Sequence, residues 1–584
     1  MKRSTTFCVA SLLIVVLCLA PTLAAGAATT AYEVKVLTDV RVPMRDGIEL
    51  STNVFLPEAQ GPFPVILTRT PYGKGDANNS DARFYASQGY VYVSQDCRGR
   101  GPSQGVWEPH RNEADDGHDA QGWLLEQPWC NGKIGTTGGS YVGFTQWIAA
   151  PEAGDYLKCM FTVVPLMDCY DTQYVGGALN LALAMGWGSD MSYRGGNGAR
   201  TQTWDEQRWL EAFRTLPLCE WDKAIGRKVQ YLRDWVAHPT FDDYWAKVGV
   251  RDKWEQICVP TLVIGGWYDI FAKPVLENTN AVKKLSRCEQ VRRQQYVIMG
   301  PWSHGVGPAK VGDLDFGPRA NVRLRELESR WFDYWLKGKD TKVEQWPALR
   351  IFVMGRNDWR DENEWPLERT QFTPYYLHSA GSANTLDGDG RLDPAAPRDE
   401  PQDHFVYDPM DPVPTLGGCN LMACPIGPHD QRTAERRRDV LVYTSQPLEK
   451  ELEVTGPVKV VLYAASSAPD TDWTGKLVDV HPDGRAFNLC DGILRARYRE
   501  SDRKLTLIEP DKVYRYEIDL WVTSNVFLPG HRLRIEVSSS NFPHFDRNPN
   551  TGHELGADSE MRSAAQTIYH DAEHPSHVLL PIIP

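Results

Sequence analysis

The sequence predicts a doubly wound α/β sheet, interrupted by a helical insertion and followed by an all-β region. Short, continuously apolar runs alternate with amphipathic stretches in the first half, as expected for parallel strands buried on both faces. Tryptophans at helical spacings fill residues 168–255, and strand-like alternation dominates residues 346–584. With 584 residues, the chain exceeds what one hydrophobic core usually holds.

The composition describes a folded, acidic protein. Hydrophobic residues make up 42% of the chain, charged residues 24%, and the formal net charge is −13. Together with the lack of a long basic run, this argues against nucleic acid as a partner, and we expect Arg436-Arg437-Arg438 to lie on a solvated or salt-bridged face. No histidine or cysteine spacing matches a common metal motif, so we expect neither a metal nor an organic cofactor.

The N-terminus has the pattern of a secretory signal peptide. Lys2 and Arg3 precede an apolar run at 7–20, and Ala25-Gly26-Ala27 offers an A-x-A cleavage site. We therefore predict that residues 1–27 are removed and that the mature protein is secreted or periplasmic, with no membrane segment. Its oligomeric state is not indicated by the sequence.

The first part of the predicted α/β domain, residues 28–167, opens with a hairpin that turns at Asp46-Gly47. Buried strands are predicted at 64–68 and 90–94. The first of them ends in a loop that carries Tyr72, which by position alone is a packed loop residue.

Ser140 is the predicted nucleophile. It stands in Gly139-Ser140-Tyr141-Val142-Gly143, between a strand-like and a helix-like run, where the flanking Gly138 and Gly143 allow a sharp turn. Val142 occupies the second glycine position of the usual G-x-S-x-G pattern. The helix start leaves the N–H of Tyr141 free to bind an oxyanion. Alone, the motif also fits an ordinary glycine-rich turn with a capping serine.

Residues 168–255 are predicted to form the helical insertion, with tryptophans packing its small helices on one another. The sheet resumes in residues 256–345, where one buried strand runs into Asp269 and the next leads to His304. Singly, these two residues fit a helix cap and a packed histidine.

Together, Ser140, Asp269 and His304 follow the chain order of an α/β-hydrolase triad, and each comes just past a parallel strand. In such a triad His304 takes the serine proton, while Asp269 fixes the histidine tautomer and stabilises the imidazolium.

The chain resembles the CocE/NonD group of serine hydrolases, which are related to the Xaa-Pro dipeptidyl-peptidases of family S15. The motifs that carry the resemblance are Arg45-Asp46-Gly47, Thr70-Pro71-Tyr72, Asp96-Cys97-Arg98-Gly99, Trp129-Cys130-Asn131-Gly132, Gly139-Ser140-Tyr141-Val142-Gly143, Gly266-Trp267-Tyr268-Asp269 and Gly300-Pro301-Trp302-Ser303-His304. The resemblance implies that Tyr72 gives its phenolic O–H to the oxyanion beside the Tyr141 N–H, and that the insertion caps the active site.

Residues 346–584 are predicted to form an all-β domain, which begins with the strand at 349–353. The motifs at 476–484 and 529–534 resemble the C-terminal jelly roll of the same family. We expect this domain to wall the active-site cleft, with a carbohydrate-binding module as the alternative. Export permits disulfides, and Cys419 with Cys424 is spaced to close a local loop.

The expected function is that of a secreted serine hydrolase that cleaves an ester or amide of a small molecule or short peptide through an acyl-enzyme. An Xaa-Pro dipeptidyl-peptidase, an α-amino-acid ester hydrolase and a non-enzymatic binding protein are the alternatives. The peptidases of the family usually carry an extra N-terminal domain, and a binding protein is expected to lose part of the triad.

The choice between acyl groups depends on the residues directly after the catalytic aspartate. The amino-acid ester hydrolases of the family place carboxylates there to bind an ammonium, whereas this chain has Ile270-Phe271-Ala272. We therefore expect a preference for neutral acyl groups, unless Asp171 or Asp190 of the insertion reaches the pocket.

Overall fold

The computed structural model describes residues 31–194 and 204–584. The predicted signal peptide and its cleavage site lie outside the described residues. Within the described part of the chain, no helix combines the length and apolarity needed to cross a membrane.

A ten-stranded sheet organises the first part of the protein. Its strands are β1 (Val34–Pro43), β2 (Glu49–Pro57), β3 (Phe63–Thr70), β4 (Val91–Asp96), β5 (Cys130–Gly139), β6 (Leu157–Val163), β7 (Thr261–Gly266), β8 (Gln295–Gly300), β9 (Leu349–Val353) and β10 (Asp358–Glu362). Across the sheet they run β1-β2-β4-β3-β5-β6-β7-β8-β9-β10. Pairing is parallel from β4 to β9 and antiparallel at both edges. The α/β-hydrolase prediction is confirmed.

Helices cover both faces of this sheet. They are α1 (Ser80–Ser87), α2 (Glu113–Leu125), α3 (Tyr141–Ala149), α9 (Ala272–Leu285), α10 (Glu289–Arg292) and α11 (Leu324–Lys337). Side chains alternate along β3, so Val65 shares an apolar cluster with Phe144 of α3, whereas Ile66 belongs to a second cluster with Phe332 of α11. Burial on both faces explains why these strands read as continuous apolar runs.

The insertion between β6 and β7 is helical, as predicted. It contains α4 (Cys169–Gln173), a π-helix (Ala182–Trp187), α5 (Gly188–Ser192), α6 (Glu206–Phe213), α7 (Gln230–Ala237) and α8 (Asp243–Ala246). Trp221, Trp235 and Trp245 are each only 1% exposed. These tryptophans therefore serve as packing residues between short helices that could not bury an apolar face alone.

The prediction that places the strand at 349–353 in the all-β domain is wrong. This strand, β9, pairs in parallel with β8, and β10 then closes the edge of the first sheet at Glu362. An apolar strand pattern shows that a strand is buried but does not show which sheet it joins.

The C-terminal region is β-rich, as predicted. Its strands are β11 (Gln371–His378), β12 (Arg391–Asp393), β13 (Asp403–Tyr407), β14 (Leu441–Thr444), β15 (Leu452–Ser466), β16 (Asp472–Val480), β17 (Ala486–Arg495), β18 (Tyr514–Phe527), β19 (Arg532–Ser538), β20 (Ala564–Tyr569) and β21 (His577–Ile583). They form one eleven-stranded sheet around a separate apolar core that includes Trp473, Leu477 and Ile535.

The two domains meet closely. Met354, just past β9, exchanges backbone hydrogen bonds with Ser524 and Val526 of β18, and Tyr268 donates its hydroxyl to the Asn488 carbonyl. A Cβ on Gly176 of the insertion would lie 2.0 Å from the Ile493 carbonyl oxygen, so only glycine fits there. The β domain therefore packs against both the hydrolase sheet and its insertion.

The predicted disulfide between Cys419 and Cys424 does not form, because both thiols are free. Cys419 instead lies buried, with its sulfur 3.5 Å from the Trp267 carbonyl oxygen. The disulfide among the described residues joins Cys258 and Cys288, on either side of β7 and α9. A separation of 30 residues gives no local spacing signal, which is why the sequence did not indicate this pair.

Candidate active site

Ser140 occupies a strained turn between β5 and α3. Its backbone has φ 58° and ψ −125°, in a region that non-glycine residues rarely adopt. Its N–H donates to the Val163 carbonyl at 2.9 Å, and its own carbonyl accepts from the N–H groups of Gly143 and Phe144 at 2.9 and 3.0 Å. The neighbouring strand and the first helical turn thus hold the serine in this conformation.

Two glycines make the turn possible. A Cβ on Gly138, at φ +144°, would lie 2.1 Å from Val142 Cγ1, and a Cβ on Gly143 would lie 2.6 Å from Pro165 Cβ. The displaced glycine of the motif therefore has a physical reason. Position 143 is the one that faces Pro165, whereas the side chain at position 142 packs over Gly138.

Asp269 and His304 are brought together at the ends of β7 and β8. His304 Nδ1 donates to Asp269 Oδ2 at 2.6 Å, and Asp269 Oδ1 accepts from the Phe271 N–H at 2.8 Å. Asp269 is fully buried, and the His304 side chain is 15% exposed. A proton held on Nδ1 leaves Nε2 as the basic nitrogen of the ring. The Phe271 ring packs edge-on to the histidine and also lines the cavity at Ser140.

Tyr72 lies over the serine from the end of β3. Its hydroxyl contacts the Ser140 side chain and accepts from the Trp187 indole N–H at 3.3 Å. Burial raises the pKa of Tyr72, against the opposing effect of these two hydrogen bonds, so the phenol keeps its proton at neutral pH. Because Trp187 donates to the oxygen, the Tyr72 proton is available for another acceptor.

Tyr141 begins α3, so its N–H has no acceptor within the helix. Its side chain is anchored underneath: the hydroxyl donates to Glu113 Oε1 at 3.0 Å and accepts from the His110 N–H at 2.8 Å. Arg69 Nη2 lies 3.1 Å from the other Glu113 oxygen. Burial, followed by the charge of Glu113, raises the pKa of Tyr141 well above its usual value.

Two of the family motifs build this support instead of the reaction centre. Arg98 pairs with Asp46 at 2.5 Å and with the buried Asp116 at 2.6 Å, and Lys74 Nζ lies 3.3 Å from the Asp96 carboxylate. Arg98 thus ties the loops after β1 and β4 to α2, and Lys74 ties the loop after β3 to the end of β4. The loop that carries Tyr72 is thereby fixed.

A small cavity of about 30 Å³ opens at Ser140, and most of its lining residues are apolar or aromatic. The residues that line it are Tyr72, His110, Ser140, Tyr141, Leu166, Thr172, Gln173, Leu183, Trp187, Phe271 and Leu421. No carboxylate belongs to this described lining. Leu421 comes from the β domain, which therefore contributes to the wall, as expected.

Asp171 and Asp190, the two acids of the insertion that the sequence left as candidates for the pocket, lie outside this lining. Asp190 pairs with Arg194 at 3.0 Å. Asp171 lies 3.9 Å from Arg251 and lines a neighbouring cavity, which it shares with Asp491. Neither acid belongs to the wall around Ser140.

His110 and Trp187 are two of the cavity residues that sequence reasoning missed. His110 stacks on Tyr141, with ring centroids 4.9 Å apart, and burial lowers its pKa to about 3, so the ring is neutral. Trp187 ends a π-helix, a distortion that is frequent at functional sites. Its neighbours in sequence are apolar and small, and only the three-dimensional contacts distinguish it from the packing tryptophans.

Two protein-family models together match nearly the whole described chain. Residues 46–306 match the model of the X-Pro dipeptidyl-peptidase (S15 family), and residues 341–579 match the X-Pro dipeptidyl-peptidase C-terminal non-catalytic domain. The chain is 39% identical over 577 residues to a cocaine esterase of Rhodococcus sp. (strain MB1 Bresler), covering 94% of this chain and 98% of that protein. It is 26% identical to a putative serine esterase of Mycobacterium tuberculosis, covering 93% and 94%.

Solved structures show the same architecture. An α-amino acid ester hydrolase superposes with a TM-score of 0.79 at 26% identity, covering 97% of this chain and 100% of that one. An aminopeptidase from a marine sediment archaeon, Thaumarchaeota archaeon, superposes with a TM-score of 0.81 at 25% identity, covering 95% and 97%. Esterases and peptidases are therefore both among the proteins that this chain resembles.

Proposed function

The chain belongs to the S15/CocE family of serine hydrolases, and from this premise we propose that it is an esterase for neutral, hydrophobic acyl groups that works through Ser140, His304 and Asp269. The observation that carries the proposal is the mostly apolar cavity at the strained serine, where the Phe271 wall packs against the hydrogen-bonded Asp269–His304 pair. Dipeptidyl-peptidase activity remains the alternative within the family.

The proton transfers follow from the chemistry of the three side chains. A serine hydroxyl is a weak nucleophile until a base accepts its proton. In the proposed reaction His304 Nε2 takes the Ser140 proton as Oγ attacks the acyl carbon, and later returns it to the leaving alcohol. Asp269 holds the Nδ1 proton and stabilises the imidazolium. Water then attacks the acyl-enzyme in the same way: His304 takes a proton from the water and passes it to Ser140 Oγ, and the acid is released.

The oxyanion forms between two donors. The Tyr141 N–H is free at the helix start, and the Tyr72 O–H is directed away from the Trp187 indole, which occupies its oxygen. One charge-assisted donor of this kind is typically worth about 3–4 kcal/mol in the transition state. Holding the donors in place before reaction avoids reorganisation, and the Arg69–Glu113 pair beneath Tyr141 supports that role.

The charge of the cavity favours an ester with a neutral acyl group. Substrates of a dipeptidyl-peptidase or an amino-acid ester hydrolase carry a free ammonium close to the scissile bond. The described lining at Ser140 supplies no carboxylate, and leaving an ammonium unpaired there costs several kcal/mol. Apolar groups at Leu166, Leu183 and Leu421 instead reward burial of hydrocarbon.

Covalent labelling tests the assignment. A fluorophosphonate should modify the wild-type protein at Ser140, identified by peptide mass spectrometry, and should leave Ser140→Ala unlabelled and inactive. Ser303→Ala is the matched control, because this serine lies beside His304 in sequence but is given no role, and it should label normally. Labelling at another serine, together with ester hydrolysis by Ser140→Ala, would contradict the proposal.

Export is the second part of the proposal. It is supported by the signal-like N-terminus and by the Cys258–Cys288 disulfide, since disulfides persist mainly in oxidising compartments. Alkylation of the denatured, unreduced mature protein should modify eight cysteines, and reduction should expose the two of the disulfide. A mature N-terminus after Ala27 is expected by mass spectrometry. Retention of residues 1–27 in the native host's protein would contradict export.

A further inference from the structure

Three potential metal ligands converge at one end of the β domain. Asp479 lies near the end of β16, His481 follows two residues later, and His531 directly precedes β19. The antiparallel register pairs Val480 with Arg532, which sets His481 opposite His531. Because side chains alternate along strands, Asp479 and His481 project to the same side as His531.

The distances between these three side chains suit the binding of one metal ion. His531 Nδ1 lies 2.7 Å from Asp479 Oδ1, and His481 Nε2 lies 4.0 Å from Asp479 Oδ2. One ligand atom from each of the three residues lies within 4.8 Å of the other two. Nitrogen and oxygen ligands bind zinc at about 2.0–2.2 Å, so small side-chain rotations bring all three onto one ion.

His481, the third member of the group, is held in place by its neighbours, but its ring has no hydrogen-bond partner among the described residues. The His481 ring is fixed between Phe487 at 4.9 Å and His531 at 4.4 Å, and its backbone exchanges hydrogen bonds within the turn that ends at Arg485. Among the described residues its ring nitrogens make no hydrogen bond, the nearest carboxylate oxygen being the one at 4.0 Å. An unpaired imidazole that faces a carboxylate has capacity for a cation.

Charge and access are also suitable. The side chains of Asp479, His481 and His531 are 8%, 24% and 11% exposed, so an ion can enter while most of its surroundings are protein. The nearby Arg485 guanidinium is paired with Asp483 at 2.8 Å.

We propose that Asp479, His481 and His531 bind a divalent first-row transition ion such as Zn²⁺, with water completing its coordination. The two-histidine, one-carboxylate set matches the ligand preference of such ions, and the hard cations Ca²⁺ and Mg²⁺ prefer all-oxygen sites. No local sequence motif marks the group, because strand pairing, and not a short run of sequence, brings residues 479 and 481 beside residue 531.

The ion would be structural and not catalytic. Asp479 lies in β16, His481 in the turn after it and His531 just before β19, and none of the three lines the cavity at Ser140. Binding would cross-link two strand ends of the β domain and raise the stability of the folded state in proportion to occupancy. Ester hydrolysis by the metal-free protein is expected to be unaffected.

Zinc retention tests the site. Untagged full-length mature protein, stripped with EDTA and then given one equivalent of Zn²⁺, should keep one ion per chain after desalting. Saturating zinc should raise the melting temperature by roughly 2–5 °C. His481→Ala should lose both effects while keeping normal esterase activity, which reports that the variant is folded.

Two further variants make the test specific. Asp479→Asn keeps an acceptor for His531 but removes the charge, and should weaken zinc binding at least tenfold. His404→Ala removes an exposed histidine of β13 that lies outside the group, and should retain one zinc ion. Failure of the wild-type protein to retain zinc, or equal retention by His481→Ala, would overturn the proposal, and neither result bears on the esterase assignment.

Discussion

Two neighbouring cavities share Thr172 but differ in charge. The cavity at Ser140 is lined mostly by apolar and aromatic groups, whereas the one beside it is lined by the carboxylates of Asp171 and Asp491. The short helix α4 contributes Thr172 to both. The difference shows that an acidic residue next in sequence to a residue that lines a cavity need not line that cavity itself. In the proposed function, the charge of the preferred substrate depends on which of the two cavities a carboxylate lines.

The largest expected effect distinguishes the acids of the two regions. Asp269→Asn should keep the hydrogen bond from the Phe271 N–H but present the wrong partner to His304, and kcat should fall by about 10⁴-fold. Asp171→Asn, in the acidic cavity, is the matched control and should hydrolyse a neutral ester within about twofold of the wild-type rate. Comparable losses in both variants would contradict the division of roles between the two cavities.

The next effect concerns the donor above the serine. Tyr72→Phe should lower kcat by about 100- to 1,000-fold with little change in KM, because the hydroxyl acts mainly on the developing oxyanion. Tyr174→Phe is the control: it also removes one buried hydroxyl, which donates to the Trp235 carbonyl at 2.9 Å. Steady-state kinetics of the folded variants decide the matter, and near-normal turnover by Tyr72→Phe would leave this tyrosine a structural residue.

A smaller effect measures the charge preference directly. Matched phenylacetyl and phenylglycyl esters differ chiefly by an α-amino group, and the neutral ester should have a kcat/KM roughly 100-fold higher at a pH where that amine is protonated. This corresponds to about 2.7 kcal/mol, within the cost of an unpaired buried charge. A strong preference for the phenylglycyl ester would favour the amino-acid ester hydrolase or dipeptidyl-peptidase alternative.

A carboxylate added to the wall of the cavity at Ser140 should reduce the preference for the neutral ester. Leu421→Asp puts a carboxylate into the cavity from the β domain, and should shift the preference toward the phenylglycyl ester by about tenfold. Leu421→Asn has nearly the same size without the charge, so it reports any effect of polarity and packing alone. Equal shifts in both variants would show that charge is not what selects the acyl group.

The sequence predicted what chain order and strand ends can reveal. Ser140, Asp269 and His304 stand past apolar runs in one order, and the structure places Asp269 against His304. Long-range pairing carries no such local signal. The strand at 349–353 was therefore assigned to the wrong sheet, and the Cys258–Cys288 bond was missed.

The side-chain contacts made by the insertion could not be predicted from the sequence either. Trp187 reads like the other tryptophans of that region, and only the folded chain shows that its N–H meets Tyr72. The tryptophans that serve packing alone were predicted correctly, because helical spacing among charged residues is sufficient evidence for a buried stripe. A residue that leaves the stripe to face a pocket has the same spacing, so its function needs the structure.

The smallest expected effect concerns the cap of α4, the helix that contributes Thr172 to both cavities. Asp168 caps α4, with Oδ1 accepting from the N–H groups of Tyr170 and Asp171, while Oδ2 is buried without a hydrogen bond among the described residues. Burial, and then the charge of Asp171, raises the pKa of Asp168 to about 7. A carboxyl whose folded pKa lies above its unfolded value contributes stability in full below about pH 4, and that contribution is lost as the pH rises toward 7.

Asp168→Asn mimics the protonated acid and should remove this pH dependence. Between pH 5 and 7.5 the melting temperature of the variant should rise relative to wild type, by a few degrees at most, since one proton changes stability by no more than about 1.4 kcal/mol per pH unit. Asp205→Asn, at the exposed cap of α6, is the control and should track the wild-type curve. If Asp168→Asn follows the wild type at every pH, the aspartate is ionised in the folded protein, and α4 is held by a charged cap.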